Sequence, residues 1–276
     1  MDITASFTTV QNLRPDEVRT WLEEKRIGDF TLLDVRQPAE HQNGHIPGSV
    51  LIPLPELPNR MSELDKRRPV VAYCRSGNRS RSAASLLADA GMTVFNMEGG
   101  MLAWNGQSAT GPAEAGLELV RGRTTLVQLA SLAWALEEGA ARFYSKVLES
   151  AVEENVRSLF RSLITAEEGH KQKVLEAYER CGGRERVGAG AAQGPEGLME
   201  GGFSIDQSLD YLRTREHSLR DTLEVSMQIE VNSLDLYLKI IRWSGVPEVK
   251  EIFALLVDEE KDHLKRLGSL LEASAI

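Results

Sequence analysis

The sequence predicts two domains: an α/β half with a parallel sheet flanked by helices, followed by an all-α four-helix bundle. Three observations predict it. Short β-rich runs alternate with helical patterns up to about Gly106; the β signal then vanishes; and the second half matches itself without a gap at an offset of 93 residues. The expected boundaries are 1–108 for the α/β domain, 109–122 for a linker and 123–276 for the bundle.

The elements follow in order. "FTLLDV" (30–35), "SVLIPL" (49–54), "PVVAYC" (69–74) and "TVFNM" (93–97) read as strands. The stretches "RPDEVRTWLEEKR", before the first of these, and "RSAASLLADAG", between the last two, read as helices, and such alternation implies a mainly parallel sheet. "NGQSATGPAEAG" (105–116) is poor in large apolar residues and rich in turn formers. Beyond it, 126–150, 153–180, 218–243 and 247–273 carry apolar residues at helical spacing. The connection 181–202 is too glycine-rich for helix, so the bundle is expected to have one long central crossover.

A chain of 276 residues can hold two modest cores. A net charge of −9 opposes nucleic-acid binding, which needs clustered positive charge. The first residues lack a signal peptide's basic and apolar regions, and no run approaches the roughly 20 apolar residues of a membrane span. The two cysteines, Cys74 and Cys181, form neither a disulfide framework nor a thiolate metal knuckle. The expectation is a soluble, cytoplasmic protein without nucleic-acid or membrane partners.

In the α/β half, "YCRSGNRSRS" (73–82) runs from a strand through a tight polar loop into a helix. Ligands bind at such strand ends in open α/β sheets. Loop amides, the helix N-terminus, Arg75 and Arg79 should all favour a Cys74 thiolate and attract an anion. A cysteine phosphatase needs Cys-x₅-Arg, whereas this loop is one residue shorter, Cys-x₄-Arg, with Ser80 in the sixth position. Together with "LLDVRQPAEHQNGHIPGSVLIPL" (32–54) and "MEGGMLAW" (97–104), it resembles the single-domain rhodaneses over about residues 8–104.

That resemblance implies a sulfurtransferase. Cys74 attacks the outer sulfur of thiosulfate or another sulfane-sulfur donor, forms a persulfide, and passes the sulfur to a thiol or cyanide-like acceptor. Arg75 and Arg79 bind the donor, and the loop Arg75, Ser76, Gly77, Asn78, Arg79 and Ser80 cradles the persulfide. Asp34, Arg36, Glu40 and His45 belong to the family signature as a structural polar network.

In the helical half, the offset pairs Glu137 with Glu230, Tyr144 with Tyr237, Glu167 with Glu260 and His170 with His263. Packing residues agree as well: Val147 with Ile240, Phe160 with Phe253, Leu163 with Leu256. Positions i and i+3 share a helix face, so each E-x-x-H can point into the bundle. Four inward carboxylates without a cation would repel one another and suffer desolvation, which two divalent metals would relieve. A mixed oxygen and nitrogen set without thiolates suits iron or manganese rather than structural zinc.

This half resembles the ferritin-like di-iron proteins of the rubrerythrin type. The resemblance implies two irons, with manganese as the alternative. Glu137 and Glu230 are then terminal ligands, Glu167 and Glu260 bridge, and His170 and His263 each cap one metal. It further implies reaction with peroxide or oxygen and an unknown electron donor. Glu168 and Glu259, one position off the ligands, are expected to face elsewhere. Tyr144 and Tyr237 either hydrogen-bond the ligands or are plain core residues. The paired CxxC motifs of full-length rubrerythrins are absent, and the extra glutamate of typical members would fall at Met227, so the cluster is expected to be plain and symmetric.

The combined expectation is a bifunctional sulfurtransferase and peroxide-reducing di-iron oxidoreductase. The alternative is a rhodanese-fold recognition module tethered to an iron-binding or storage bundle. Cys181 reads as an incidental helix-terminal residue, and His41 and His217 as surface or structural. The chain is expected to form at least a dimer.

Overall fold

The computed structural model describes residues 10–25, 28–151, 154–187, 197–214 and 219–274; His217 lies outside them. The chain divides into two compact units, Met1–Ala113 and Glu114–Ile276.

In the first unit, β1 (Gln11–Leu13), β2 (Thr31–Asp34), β3 (Val50–Leu51), β4 (Val70–Tyr73) and β5 (Val94–Met97) form one sheet in the order β1-β5-β4-β2-β3. Every pairing is parallel. The connections are α1 (Pro15–Glu24), α2 (Pro38–Gln42), α3 (Leu57–Arg60), α4 (Asn78–Asp89) and, after β5, α5 (Gly100–Ala103). The period of two along the strands sorts side chains between two cores. Leu33, Val35, Ala72 and Cys74 pack on one face with Ala83 and Leu87 of α4, while Leu32, Val71, Tyr73 and Met97 pack on the other with Val18 of α1. The short edge strand β1 is mostly exposed and polar, and no sequence pattern announced it.

The second unit holds four long helices: α6 (Leu126–Ser150), α7 (Glu154–Arg180), α9 (Leu219–Trp243) and α10 (Pro247–Ser274). A capping box starts α6, with Thr125 Oγ1 accepting from the Gln128 amide and the Gln128 side chain accepting from the Thr125 amide. Pro247 opens α10, where its missing N–H costs nothing. The long crossover is more structured than its glycines suggested. It carries a 3₁₀ turn at Glu200–Gly202 and a short helix α8 (Ile205–Arg213), whose Ser204 cap accepts from the Gln207 amide.

The internal repeat is visible in the packing. Tyr144 meets Phe160 with ring centroids 5.6 Å apart, and Tyr237 meets Phe253 at 5.5 Å. No helix among the described residues is long and apolar enough to cross a membrane.

Candidate functional site

Cys74 directly follows the fully buried strand β4 and is itself buried. Gly77 then turns the chain with φ +90° and caps α4. The loop is held from behind by the glycine pair Gly99–Gly100, where amides of Met101 and Leu102 donate to the Cys74 and Arg75 carbonyls at 2.8 and 3.0 Å. A side chain at Gly100 would lie 2.3 Å from the Cys74 carbonyl oxygen, which explains why that position is glycine.

The Gly77 amide donates to Cys74 Sγ at 3.1 Å, and Ser80 Oγ lies 3.4 Å from the sulfur. Burial pushes the thiol up, but the Ser80 hydroxyl and the amides of Ser80, Ser76 and Gly77 outweigh it and leave Cys74 below its ordinary value. Loop amides were expected to favour the thiolate and do so, and the Ser80 hydroxyl adds the largest share.

Around the sulfur, Arg75, Ser76 and Asn78 are exposed, Gly77 and Ser80 are buried, and Arg79 is half-buried. Arg79 makes a two-pronged pair with Glu40, both contacts at 2.7 Å. Glu40 therefore belongs to the rim of this loop rather than to the Asp34 network. That network joins Asp34 to Arg36 Nη2 at 2.7 Å and to His41 Nδ1 at 3.0 Å, with His45 stacked on His41 at a centroid distance of 3.7 Å. His41 is thus a core member of it. Sequence reasoning also missed Asn96, buried on β5, whose Oδ1 accepts from Ser80 Oγ at 2.6 Å. Ser80 has one proton to share between Asn96, the Gly77 carbonyl and the sulfur.

In the bundle, Glu137, Glu167, Glu230 and Glu260 are fully buried and His170 and His263 nearly so. His170 Nδ1 lies 2.9 Å from Glu137 Oε2 and 3.2 Å from Glu167 Oε2. His263 Nδ1 lies 3.2 Å from Glu230 Oε2, and the two imidazoles approach to 4.7 Å between centroids. The tyrosines cross between repeats: Tyr237 donates to Glu137 at 2.6 Å and Tyr144 to Glu230 at 2.8 Å. They are core residues and also hydrogen-bond the buried carboxylates.

Burial drives these groups toward neutrality while their neighbours restore charge selectively. Burial raises Glu167 to about 7, and burial with help from the Glu230 charge holds Glu260 well above the usual carboxylate range. Burial also opposes charge on Glu230 and on His170. Glu260, His263 and Tyr144 nevertheless bring Glu230 down to about 2, and Glu137 and Glu167 push His170 up to about 11.

Two expectations need correction. Glu259 does not face away: its Oε2 lies 3.3 Å from His170 Nε2, behind the ring. Glu168 does face outward, to Lys171 at 2.8 Å. Nor is the cluster a symmetric set of six, because Glu200 from the crossover is fully buried and joins Glu137, Glu167 and His170. Burial and the surrounding carboxylates hold Glu200 well above the usual carboxylate range. Its only sequence signal was one glutamate followed by two glycines. Cys181 is part-exposed, 3.6 Å from Glu251 Oε2, and burial together with that carboxylate raises its thiol.

The residues fit a metal pair. Glu137, Glu167, His170 and Glu200 each offer a ligand atom within 4.8 Å of the others, as do Glu230, Glu260 and His263. Both oxygens of Glu167 and of Glu260 lack a well-directed hydrogen bond among the described residues, although His170 Nδ1 lies 3.2 Å from Glu167 Oε2, and His263 Nε2 lacks one as well. Buried acceptors of this kind are rare unless something electropositive sits among them. The donor set is oxygen and imidazole nitrogen, suited to iron or manganese.

Known proteins divide along the same line. The rhodanese-like domain family matches residues 14–107, and the rubrerythrin family matches residues 105–181, a span that includes α6 and α7. A sulfurtransferase from Allochromatium vinosum is 47% identical over 77 residues, 28% of this chain and 72% of that protein. The putative sulfurtransferase YtwF of Bacillus subtilis is 42% identical over 89 residues, 32% of this chain and 86% of that one. The HTH-type transcriptional regulator Rv0324 of Mycobacterium tuberculosis is 42% identical over 85 residues, 30% of this chain, but the match spans only 38% of its length. Among solved structures, a rhodanese-like domain protein from Staphylococcus aureus is 31% identical with a TM-score of 0.33, covering 36% of this chain and 93% of that chain. The N-terminal unit belongs to the rhodanese family, and it is joined to a four-helix bundle whose first two long helices match the rubrerythrin family.

Proposed function

We propose that the chain is bifunctional, a sulfurtransferase acting through a Cys74 persulfide joined to a peroxide-reducing di-iron bundle. For the first activity, the hydrogen-bonded Cys74 sulfur carries the reading. The thiolate attacks the outer sulfur of thiosulfate, the S–S bond to the sulfonate breaks, and sulfite leaves with the electron pair. Cyanide or a thiolate then attacks the outer persulfide sulfur and regenerates the Cys74 thiolate, so neither step needs an external oxidant. Arg75, exposed at the loop, and Arg79 set the donor's position, while the Gly77 amide and Ser80 hydroxyl hold charge on the sulfur.

For the second, the orphaned oxygens of Glu167 and Glu260 carry the reading. Glu137, Glu167 and His170 would hold one iron, and Glu230, Glu260 and His263 the other. When bound, a ferrous pair supplies the two electrons that peroxide needs to become water. The chain's own contribution is to fix the terminal carboxylates through Tyr237 and Tyr144 and to keep the cluster shielded from bulk water.

The recognition-and-storage reading has one observation in its favour: Glu40 already occupies the Arg79 fork. Thiosulfate-to-cyanide transfer by the full chain decides the first half, since a recognition module shows no Cys74-dependent turnover. Metal content decides the second: about two irons per chain supports the pair, and many per assembly supports storage. Whether the two chemistries communicate is tested by adding a sulfane-sulfur donor during peroxide turnover. A response that survives Cys74→Ser rules out coupling through this cysteine.

A further inference from the structure

The two halves of the bundle repeat each other in sequence, yet their metal-facing surroundings differ. Glu200 comes from the crossover, outside the repeat. At the offset of 93 its counterpart is Gln107, which lies in the N-terminal unit. Its Oε2 accepts from Ser233 Oγ at 3.3 Å, and its Oε1 has no hydrogen-bond partner among the described residues although the side chain is fully buried. It clusters with Glu137, Glu167 and His170 and not with Glu230, Glu260 and His263.

A second difference falls on the same half. Glu259 lies 3.3 Å from His170 Nε2, whereas His263 Nε2 has no partner among the described residues. The repeat supplies the reason, because Glu259 corresponds to Ala166, which has no carboxylate to offer. A carboxylate behind a metal-bound imidazole orients the ring and strengthens it as a ligand.

The segment that delivers Glu200 is built for the purpose. Leu198 bridges Ser204 in antiparallel fashion, the Met199 amide donates to the Phe203 carbonyl at 2.9 Å, and the Ile205 amide donates to the Gly197 carbonyl at 2.9 Å. Gly201 and Gly202 turn the tip with φ of +64° and +79°. Gly139 on α6, two residues past Glu137, opens the slot: a Cβ there would lie 2.2 Å from the Leu198 carbonyl oxygen and 2.7 Å from Met199 Cα. Glycine in a helix interior costs stability relative to alanine, on the order of 1 kcal/mol. At Gly139 that cost admits the backbone that carries Glu200.

We propose that Glu200 is a fifth carboxylate ligand, belonging to the metal position of Glu137, Glu167 and His170, and that the two metal positions therefore differ in affinity. The first position gains the Glu200 carboxylate and has Glu259 behind its imidazole, whereas the second has neither. The excess negative charge makes the first position the tighter one. This proposal rests on the bundle being a metal centre, and its failure is separable from failure of that reading.

The test uses the metal-free full chain titrated anaerobically with Co(II) and, separately, with Mn(II), followed by calorimetry and by the cobalt absorption spectrum. Wild type is expected to bind two ions in two distinguishable steps. Glu200→Gln, nearly isosteric, weakens the tighter step by about tenfold or more and leaves the weaker one nearly unchanged. Gly139→Ala keeps every ligand but displaces Leu198 and Met199, and it produces the same selective loss. Circular dichroism confirms that both variants fold, and each is informative if the other does not. Two steps left unchanged by Glu200→Gln, or weakened equally by it, overturn the proposal while leaving the metal centre standing. Absence of any binding by folded wild type overturns the metal-centre reading itself.

Discussion

Tyr237 on α9 donates its hydroxyl to Glu137 on α6 at 2.6 Å, so a buried carboxylate of the first repeat is held by a residue of the second. Tyr144 returns the arrangement to Glu230. Burial, with Glu137 beside it, keeps the Tyr237 phenol protonated well above its ordinary value, so it remains a donor. Tyr237→Phe keeps the ring against Phe253 and removes only the hydroxyl, leaving a buried carboxylate oxygen short of one partner. The metal-free helical unit should lose about 1–3 kcal/mol, a fall of several degrees in its melting temperature. Calorimetry of the metal-free variant checks this, and an unchanged transition would show that the bond adds nothing net.

Ser80 is predicted to set the pH at which Cys74 becomes reactive. Burial raises the thiol, and the Ser80 side chain is the largest of the groups that lower it. Ser80→Ala removes that group while the Gly77 amide stays at 3.1 Å. The Cys74 pKa then rises, so the thiolate fraction at neutral pH falls. The midpoint of iodoacetamide alkylation against pH should move upward, with the limiting rate at high pH retained. Asn96→Ala is expected to act oppositely, because it releases the Ser80 proton toward sulfur.

Glu40 and Arg79 give a prediction about substrate affinity. Arg79 pulls Glu40 down to about 2 from an ordinary 4.5. A depressed carboxylate stabilises the fold above its unfolded pKa, and that contribution fades as pH falls from about 4.5 through about 2. The pair is therefore intact throughout a sulfur-transfer assay, and the KM for thiosulfate should stay flat from about pH 5 to pH 8. Glu40→Gln removes the countercharge but leaves an acceptor for the guanidinium. Arg79 then faces an anionic donor with more of its charge, worth on the order of 1 kcal/mol at this part-exposed site, so KM falls about fivefold. An unchanged or raised KM would assign Arg79 a structural role only.

Much of the architecture was legible because periodicity reports burial. Strand residues such as Val70, Val71, Ala72 and Tyr73 are buried on both faces, and the four long helices carry their apolar residues at helical spacing. The clustering of the six repeated carboxylate and histidine positions was legible for a different reason, since an unbroken offset of 93 aligned polar residue types that packing alone does not require. Glu200 was not legible. It stands in a glycine-rich connection without periodicity, and its placement depends on Gly139, 61 positions earlier, leaving room for the backbone. Glu259 was misread because adjacency to Glu260 on one helix does not show what a neighbouring helix presents to it. The Glu40–Arg79 pair was hidden similarly, because tertiary contact brings α2 beside the loop that opens α4.

Removing metal should affect the two units unequally. Without cations, burial opposes charge on Glu167, Glu200 and Glu260, and neighbouring carboxylates add to that opposition. A cation that binds only the folded bundle stabilises it in proportion to the logarithm of its concentration over Kd, about 2.7 kcal/mol at a hundredfold excess over Kd. For a unit of this size that is roughly 5–10 °C in melting temperature. The α/β unit has its own core and its chemistry needs no metal, so Cys74-dependent sulfur transfer should survive chelation. Scanning calorimetry of the full chain before and after chelation, followed by re-addition of Fe(II) under nitrogen, checks both parts. A helical transition that ignores chelator and metal alike would mean that the buried carboxylates are stabilised by protons alone.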